Sequence, residues 1–174
     1  TVASASLTID ARANSDEALT ITDAATVTFV NGSEGTDTAV ASTVLDATDT
    51  TSLTVTGAAT AGDTLGTGNV TGTNALTSLT VTTQATTATS TVGTIADADG
   101  LTSITINASG ADAEFGQIGT DATANNAELL ATVDLDASGT GVTATSGAIY
   151  ADSSVDSASD LAMTVTADVG SGAT

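Results

Sequence analysis

The chain contains no cysteine, proline, histidine or tryptophan, and no lysine. Arg12 is its only basic side chain, and Phe29, Phe115 and Tyr150 are its only aromatic ones. Without cysteine there is no disulfide frame and no thiolate metal site, a composition compatible with export. Without histidine, cysteine or lysine there is no triad and no Schiff-base chemistry. A carboxylate pair for glycoside cleavage remains open. Such sites usually add aromatic platforms and cations, and three aromatics with Arg12 are too few. An enzyme is therefore not expected. Because aromatics are scarce, the core must be built from Ala, Val, Leu, Ile and Thr methyl groups. Small side chains fill a narrow interior at native density more readily than a wide one.

Positive charge is the other thing missing. Against Arg12 stand 21 acidic residues, for a formal net charge of −20. Nucleic-acid binding needs cations to neutralise phosphate, so that class is excluded. An anionic membrane surface repels the chain for the same reason. No apolar run approaches the roughly 18 residues of a membrane helix; even Glu128-Leu129-Leu130-Ala131 is broken at once by polar residues. Direct membrane insertion is not expected. Self-repulsion of this size destabilises a compact state. High ionic strength, divalent cations or a basic surface elsewhere in a parent protein should offset it, and the broad faces are expected to be acidic. The mean hydropathy of +0.25 argues against disorder.

The 174 residues suit one domain, 1–174. The chain starts at Thr1 with no signal-like segment, which reads as a processed product or an internal piece of a longer exported protein.

What the chain does contain is one apolar–polar–apolar word written six times. The copies are Val27-Thr28-Phe29, Leu53-Thr54-Val55, Leu79-Thr80-Val81, Ile104-Thr105-Ile106, Val133-Asp134-Leu135 and Met163-Thr164-Val165. The first three steps are nearly equal and the last two slightly longer. A near-fixed period of this length marks stacked repeats. Alternation with Thr, Val and Ile reads as a half-buried strand. Stacked copies place Leu53, Leu79 and Ile104 side by side in the interior and the Thr residues in ladders outside.

Weaker apolar pairs lie between the words: Val40 with Leu45, Leu65 with Val70, Val92 with Ile95, and Phe115 with Ile118. They read as second or third strands of each coil. Gly, Asn and Asp cluster between them and suit turns. The fold class expected is all-β, a β-solenoid (parallel β-helix-like) with coils of about 26 residues. Residues 26–170 form the coils. Residues 1–25 carry Leu7-Thr8-Ile9 and Leu19-Thr20-Ile21 close together, and read as a hairpin or as edge or capping strands. Residues 152–160 read as a longer loop, and Ala122 to Leu130 as a short helix or turn inserted in a long coil.

The Thr/Ala/Gly/Ser/Asp-rich composition, the absence of Cys and Lys and the LTSLTVT word resemble bacterial surface-layer (S-layer) proteins and related type I-secreted, RTX-like surface proteins. In that family calcium-binding nonapeptides run as G-G-x-G-x-D-x-U-x. Gly32 to Val40 keeps the second half of one copy, and Gly116 to Asp121 is another partial copy. Neither is in tandem, and each lacks the second Gly. The resemblance implies calcium at Asp37 and Asp121. It also implies an exported, self-associating protein at the cell surface, with a cell-surface polysaccharide as a further partner through regions not in this chain.

Other candidate ligands come from the residues themselves. Asp97-Ala98-Asp99-Gly100 offers two carboxylates in one turn, as a hard cation prefers. Ile95 and Ile106 stand where an EF-hand needs acids, so the competing reading is a plain Asx turn. Asp134 and Asp136 are two apart on a strand and share a face; there the competing reading is a solvated face. Asp112 with Glu114, and Asp46 with Asp49, carry the same pair of readings. Sequons at Asn31, Asn69 and Asn107 leave glycosylation open.

The function expected is a structural component of an extracellular surface layer or filament, self-assembling through strand-end and cation-bridged contacts. The alternative is a spacer or stalk of a large calcium-dependent adhesin. A phage or virus fibre segment is a third class and would be intertwined with three-fold symmetry.

Overall fold

A computed structural model describes residues 5–10, 15–30, 40–57, 65–83, 89–96, 98–119, 127, 129–150 and 164–170. These contain fourteen β-strands and, among the described residues, no helix. The strands are β1 (Ser6–Asp10), β2 (Ser15–Thr20), β3 (Thr26–Val30), β4 (Val40–Val44), β5 (Ser52–Thr56), β6 (Leu65–Gly66) and β7 (Asn69–Thr71). They continue with β8 (Ser78–Thr82), β9 (Ser90–Val92), β10 (Ser103–Asn107), β11 (Ala113–Phe115), β12 (Thr132–Ala137), β13 (Ala144–Ser146) and β14 (Thr164–Val169).

All pairings are parallel, and they make three sheets. The first has seven strands in the order β1-β3-β5-β8-β10-β12-β14. The second is β2-β4-β7, extended by single bridges from Val70 to Ile95, Ile118 and Ile149. The third is β13-β11-β9-β6. From β5 onward each coil visits the first sheet, then the third, then the second. That path is a β-solenoid, and its coil step is the one seen between the words.

The repeated words explain the first sheet. Leu53 pairs with Leu79 and Leu79 with Ile104, and their exposures are 0%, 1% and 0%. Strands β3, β5, β8 and β10 share one burial pattern, inward residues buried and outward ones half-buried. The inner ladder Phe29–Val55–Val81–Ile106 is likewise buried. Each such side chain contributes about 1.5–3 kcal/mol by leaving water. The intervening apolar pairs fall where second and third strands were expected: Val40 in β4, Leu65 in β6, Val70 in β7, Val92 in β9 and Phe115 in β11.

Corners repeat as faithfully as strands. Leu76, Leu101 and Leu130 donate their N–H groups to the carbonyls of Thr73, Ala98 and Ala127 at 2.9, 2.9 and 3.1 Å. One residue on from the first two, the hydroxyls of Thr77 and Thr102 donate to the carbonyls of Thr51 and Thr77 in the preceding coil, at 3.0 and 2.9 Å. Gly93, Gly116 and Gly147 stack at another corner; a Cβ on Gly93 or Gly147 would strike the backbone of the coil beneath, and one on Gly116 would press tightly against it. Only glycine permits that approach.

Three expectations are corrected. Of the two readings of the words at Leu7 and Leu19, the hairpin fails, and each word is instead an edge strand of its own sheet. β1 lies in the first sheet beside β3, and β2 in the second beside β4. They therefore belong to one short coil, which closes where Leu7 pairs with Val27. The sixth word is displaced by two positions, because Val133 pairs with Val165 and not with Met163. A shift of two keeps the same residues on the same face, whereas a shift of one would turn the strand over. The face of the first sheet is also not uniformly acidic: β3, β5, β8 and β10 carry no ionisable side chain, and the sheet's acids sit towards its two ends, in β1, β12 and β14.

The proposed helix at Ala122 to Leu130 lies mostly outside the described residues; its described end is the Ala127–Leu130 turn. Residues 152–160 and Met163 also lie outside them.

Candidate metal site

Two consecutive coils bring three carboxylates together. Asp23 stands in the bend before β3, with a positive φ of 56°. Asp46 and Asp49 belong to the turn between β4 and β5. The coil step that carries Val27 onto Leu53 also carries Asp23 onto Asp49. Asp46 joins them from the start of the same turn, and one carboxylate oxygen of each residue lies within 4.8 Å of the others. Asp23 is exposed and the other two are half-buried.

Hydrogen bonds hold Asp46 in place. Its Oδ1 accepts from the Thr48 N–H at 2.9 Å and from the Thr48 hydroxyl at 2.8 Å. Its Oδ2 accepts from the Asp23 N–H at 3.3 Å. The main chain closes the same turn, with Thr50 N–H donating to the Asp46 carbonyl at 3.2 Å. The Thr48 N–H, and next to it the Thr48 hydroxyl and the Asp23 N–H, pull the Asp46 carboxyl below its ordinary value of 3.8, against a smaller opposing effect of burial.

The donor set is all carboxylate oxygen, which suits a hard cation. Calcium–oxygen distances are about 2.3–2.6 Å, so oxygens on one ion stand up to roughly twice that apart. The observed separation fits this limit. The group can hold a metal ion; its geometry alone does not name the element.

The other sequence candidates are scattered. Asp37, Asp97 and Asp121 lie outside the described residues. Asp99 is exposed in the repeated Ala98–Leu101 turn, so its setting is a recurrent corner of the coil. Asp134 and Asp136 share the half-buried outer face of β12. There Asp134 pairs across the ladder with Thr105 and Thr166, and Asp136 with Asn107 and Asp168. Asp112 ties one coil to the next, its Oδ1 accepting from the Thr143 N–H at 2.8 Å. Asn69 is exposed and its Oδ1 accepts from Thr94 N–H at 3.1 Å. Asn107 is on the outer face of β10 and Asn31 is outside the described residues.

Sequence reasoning singled out Asp46 with Asp49 but missed Asp23. The signal was present: Asp23 and Asp49 are separated by the same step as Val27 and Leu53, the words that follow them. The repeat period was applied to apolar positions and not to the acids.

An open groove of about 340 Å³ follows the glycine corner, lined by Gly68, Thr91, Val92, Gly93, Glu114, Phe115 and Gly116. Glu114 is the one ionisable side chain in that lining. No helix among the described residues is long and apolar enough to cross a membrane. Comparison with protein-family models, with curated proteins and with solved structures returns no match.

Proposed function

We propose that this chain is a structural segment of an extracellular surface layer or filament, which works by packing and which calcium stabilises. The observation that carries the reading is the exposure of the two end strands of the first sheet, β1 and β14, among the described residues. Leu7 in β1 is 38% exposed, while its ladder partner Val27 is fully buried between two coils. Val169 in β14 is 55% exposed, while its partner Ala137 is 2% exposed. The outer edges of β1 and β14 run parallel to each other and lie at opposite ends of the sheet. Edges of this kind invite pairing with another chain or with further sequence of a longer parent, and a head-to-tail contact between unlike surfaces builds an open filament.

Two roles for calcium follow in this reading. The ion at Asp23, Asp46 and Asp49 pins two coils together. At the junction, Asp10, Val30, Thr56, Thr82, Asn107, Asp136 and Asp168 form one row across the sheet. Within that row Asp136 and Asp168 stand directly opposite each other. Like charges so placed repel, and in this reading calcium offsets that repulsion at the β14 end of the sheet.

The test is light scattering and electron microscopy of the purified chain with calcium, with chelator and at high salt. The expected result is elongated particles in calcium that disperse in chelator. A chain that stays monomeric in all three favours the adhesin spacer.

A further inference from the structure

The outer face of the first sheet has a property that the assembly reading does not use. Its outward positions form rows. One row is Ser6, Thr26, Ser52, Ser78, Ser103 and Thr132, a hydroxyl on each of six neighbouring strands. The next is Thr8, Thr28, Thr54, Thr80, Thr105 and Asp134. Pairing from β1 to β12 runs with no register shift, unlike β2 with β4 in the second sheet, which carries one.

The array is therefore a lattice. Strands stand about 4.8 Å apart, and alternate residues along a strand about 6.6 Å apart. From β3 to β10 it holds no charge, on a chain whose net charge is −20. Its hydroxyls are also uncommitted: among the described residues none of the Ser or Thr side chains in these two rows donates to the protein, whereas Thr51, Thr77 and Thr102 beside them all do. A surface that alternates free hydroxyls with methyl groups, without ions, orders water and does not scatter it around charges. Hexagonal ice presents oxygen rows on its prism planes, and the shorter of their repeats is near the strand spacing.

We propose that this uncharged hydroxyl face binds ordered water, and that its ligand is the surface of ice. The rows hold water at their own two spacings, and that layer freezes onto the matching crystal plane. The acids are confined to the ends of the sheet, with Asp134 closing the second row at β12, so the lattice from β3 to β10 is uninterrupted.

The experiment measures partition of the purified chain into slowly growing ice and the gap between melting and freezing of a seeded crystal. Thr80→Tyr places a bulky ring at the centre of the array. Thr71→Tyr places one on an exposed position of the second sheet. The expected result is enrichment of the parent chain in ice with a measurable freezing gap, loss of both in Thr80→Tyr and retention of both in Thr71→Tyr. Circular-dichroism melts establish that the variants are folded. If Thr80→Tyr melts early, Ser103→Tyr in the adjoining row takes its place and is held to the same outcome. A parent chain excluded from ice like an ordinary solute overturns the proposal, as does equal loss in Thr71→Tyr.

Discussion

The middle of the solenoid and its two ends are written in almost the same words, yet they behave differently. Leu53 and Leu79 sit in β5 and β8 with a coil on either side, and their exposures are 0% and 1%. Leu7 occupies the same ladder position in β1, which among the described residues has β3 alone as its neighbour, and is 38% exposed. The three central steps, from Val27 through Leu53 and Leu79 to Ile104, are nearly equal. The first, from Leu7 to Val27, is shorter, and the last, from Val133 to Val165, is longer. A strand word therefore specifies which face points inward, but burial comes from the neighbours. In a stacked-repeat protein most stability resides in the interfaces between repeats, and end repeats have half as many.

The comparison is broken most severely by charge. Leu79→Asp puts an unpaired carboxylate into the interior and should cost more than about 4 kcal/mol, enough to prevent folding. Leu7→Asp at the same ladder position should cost under about 1 kcal/mol. Urea unfolding of the two variants checks this, and equal losses would mean that the ends are covered as well as the middle.

Truncation is gentler. Leu53→Ala should cost about 2–5 kcal/mol through lost burial and the cavity left behind, while Val169→Ala should stay within about 0.5 kcal/mol of the parent. Thermal melts of both variants, with the parent as reference, sharpen the same contrast.

Metal binding tests the group of three carboxylates that spans two coils. At a calcium concentration about 100 times the dissociation constant, binding to the folded state alone adds about 2.7 kcal/mol. The melting temperature should rise accordingly in the parent and much less in Asp23→Asn or Asp49→Asn. An equal rise in all three would place the ion elsewhere.

The smallest effect concerns Asp46. Its carboxyl titrates below the ordinary 3.8, so the unfolded chain takes up the proton more readily than the folded one. The stability this supplies is complete above about that pH and is lost as pH falls through the lower folded value. The difference between the parent and Asp46→Asn, measured in chelator by denaturant unfolding, should shrink on acidification below 3.8. A difference that grew there would reverse the assignment.

Much of this was legible in the residues. The words at Val27, Leu53, Leu79 and Ile104 gave register, face and neighbours, because alternation and period are both properties of sequence. The last coil was read two positions out of register, since a shift of two leaves every side chain on its proper face and alternation cannot detect it. The first coil read as a hairpin or as edge strands, because closeness in sequence does not say which sheet a strand joins. At the metal site, Asp46 and Asp49 are neighbours in sequence and were visible. Asp23 is a neighbour only through the stacking, so it appears once the coil step is applied to the acids.

The central claim is that copies join through the ends of the solenoid and so continue its axis. Fibre diffraction from oriented assemblies grown in calcium tests this directly. The account predicts the strand-spacing reflection at about 4.8 Å along the long axis of the assembly, because the strands stack in that direction through every junction. The same reflection found across the long axis would mean that copies pack side by side through their faces, and would contradict it.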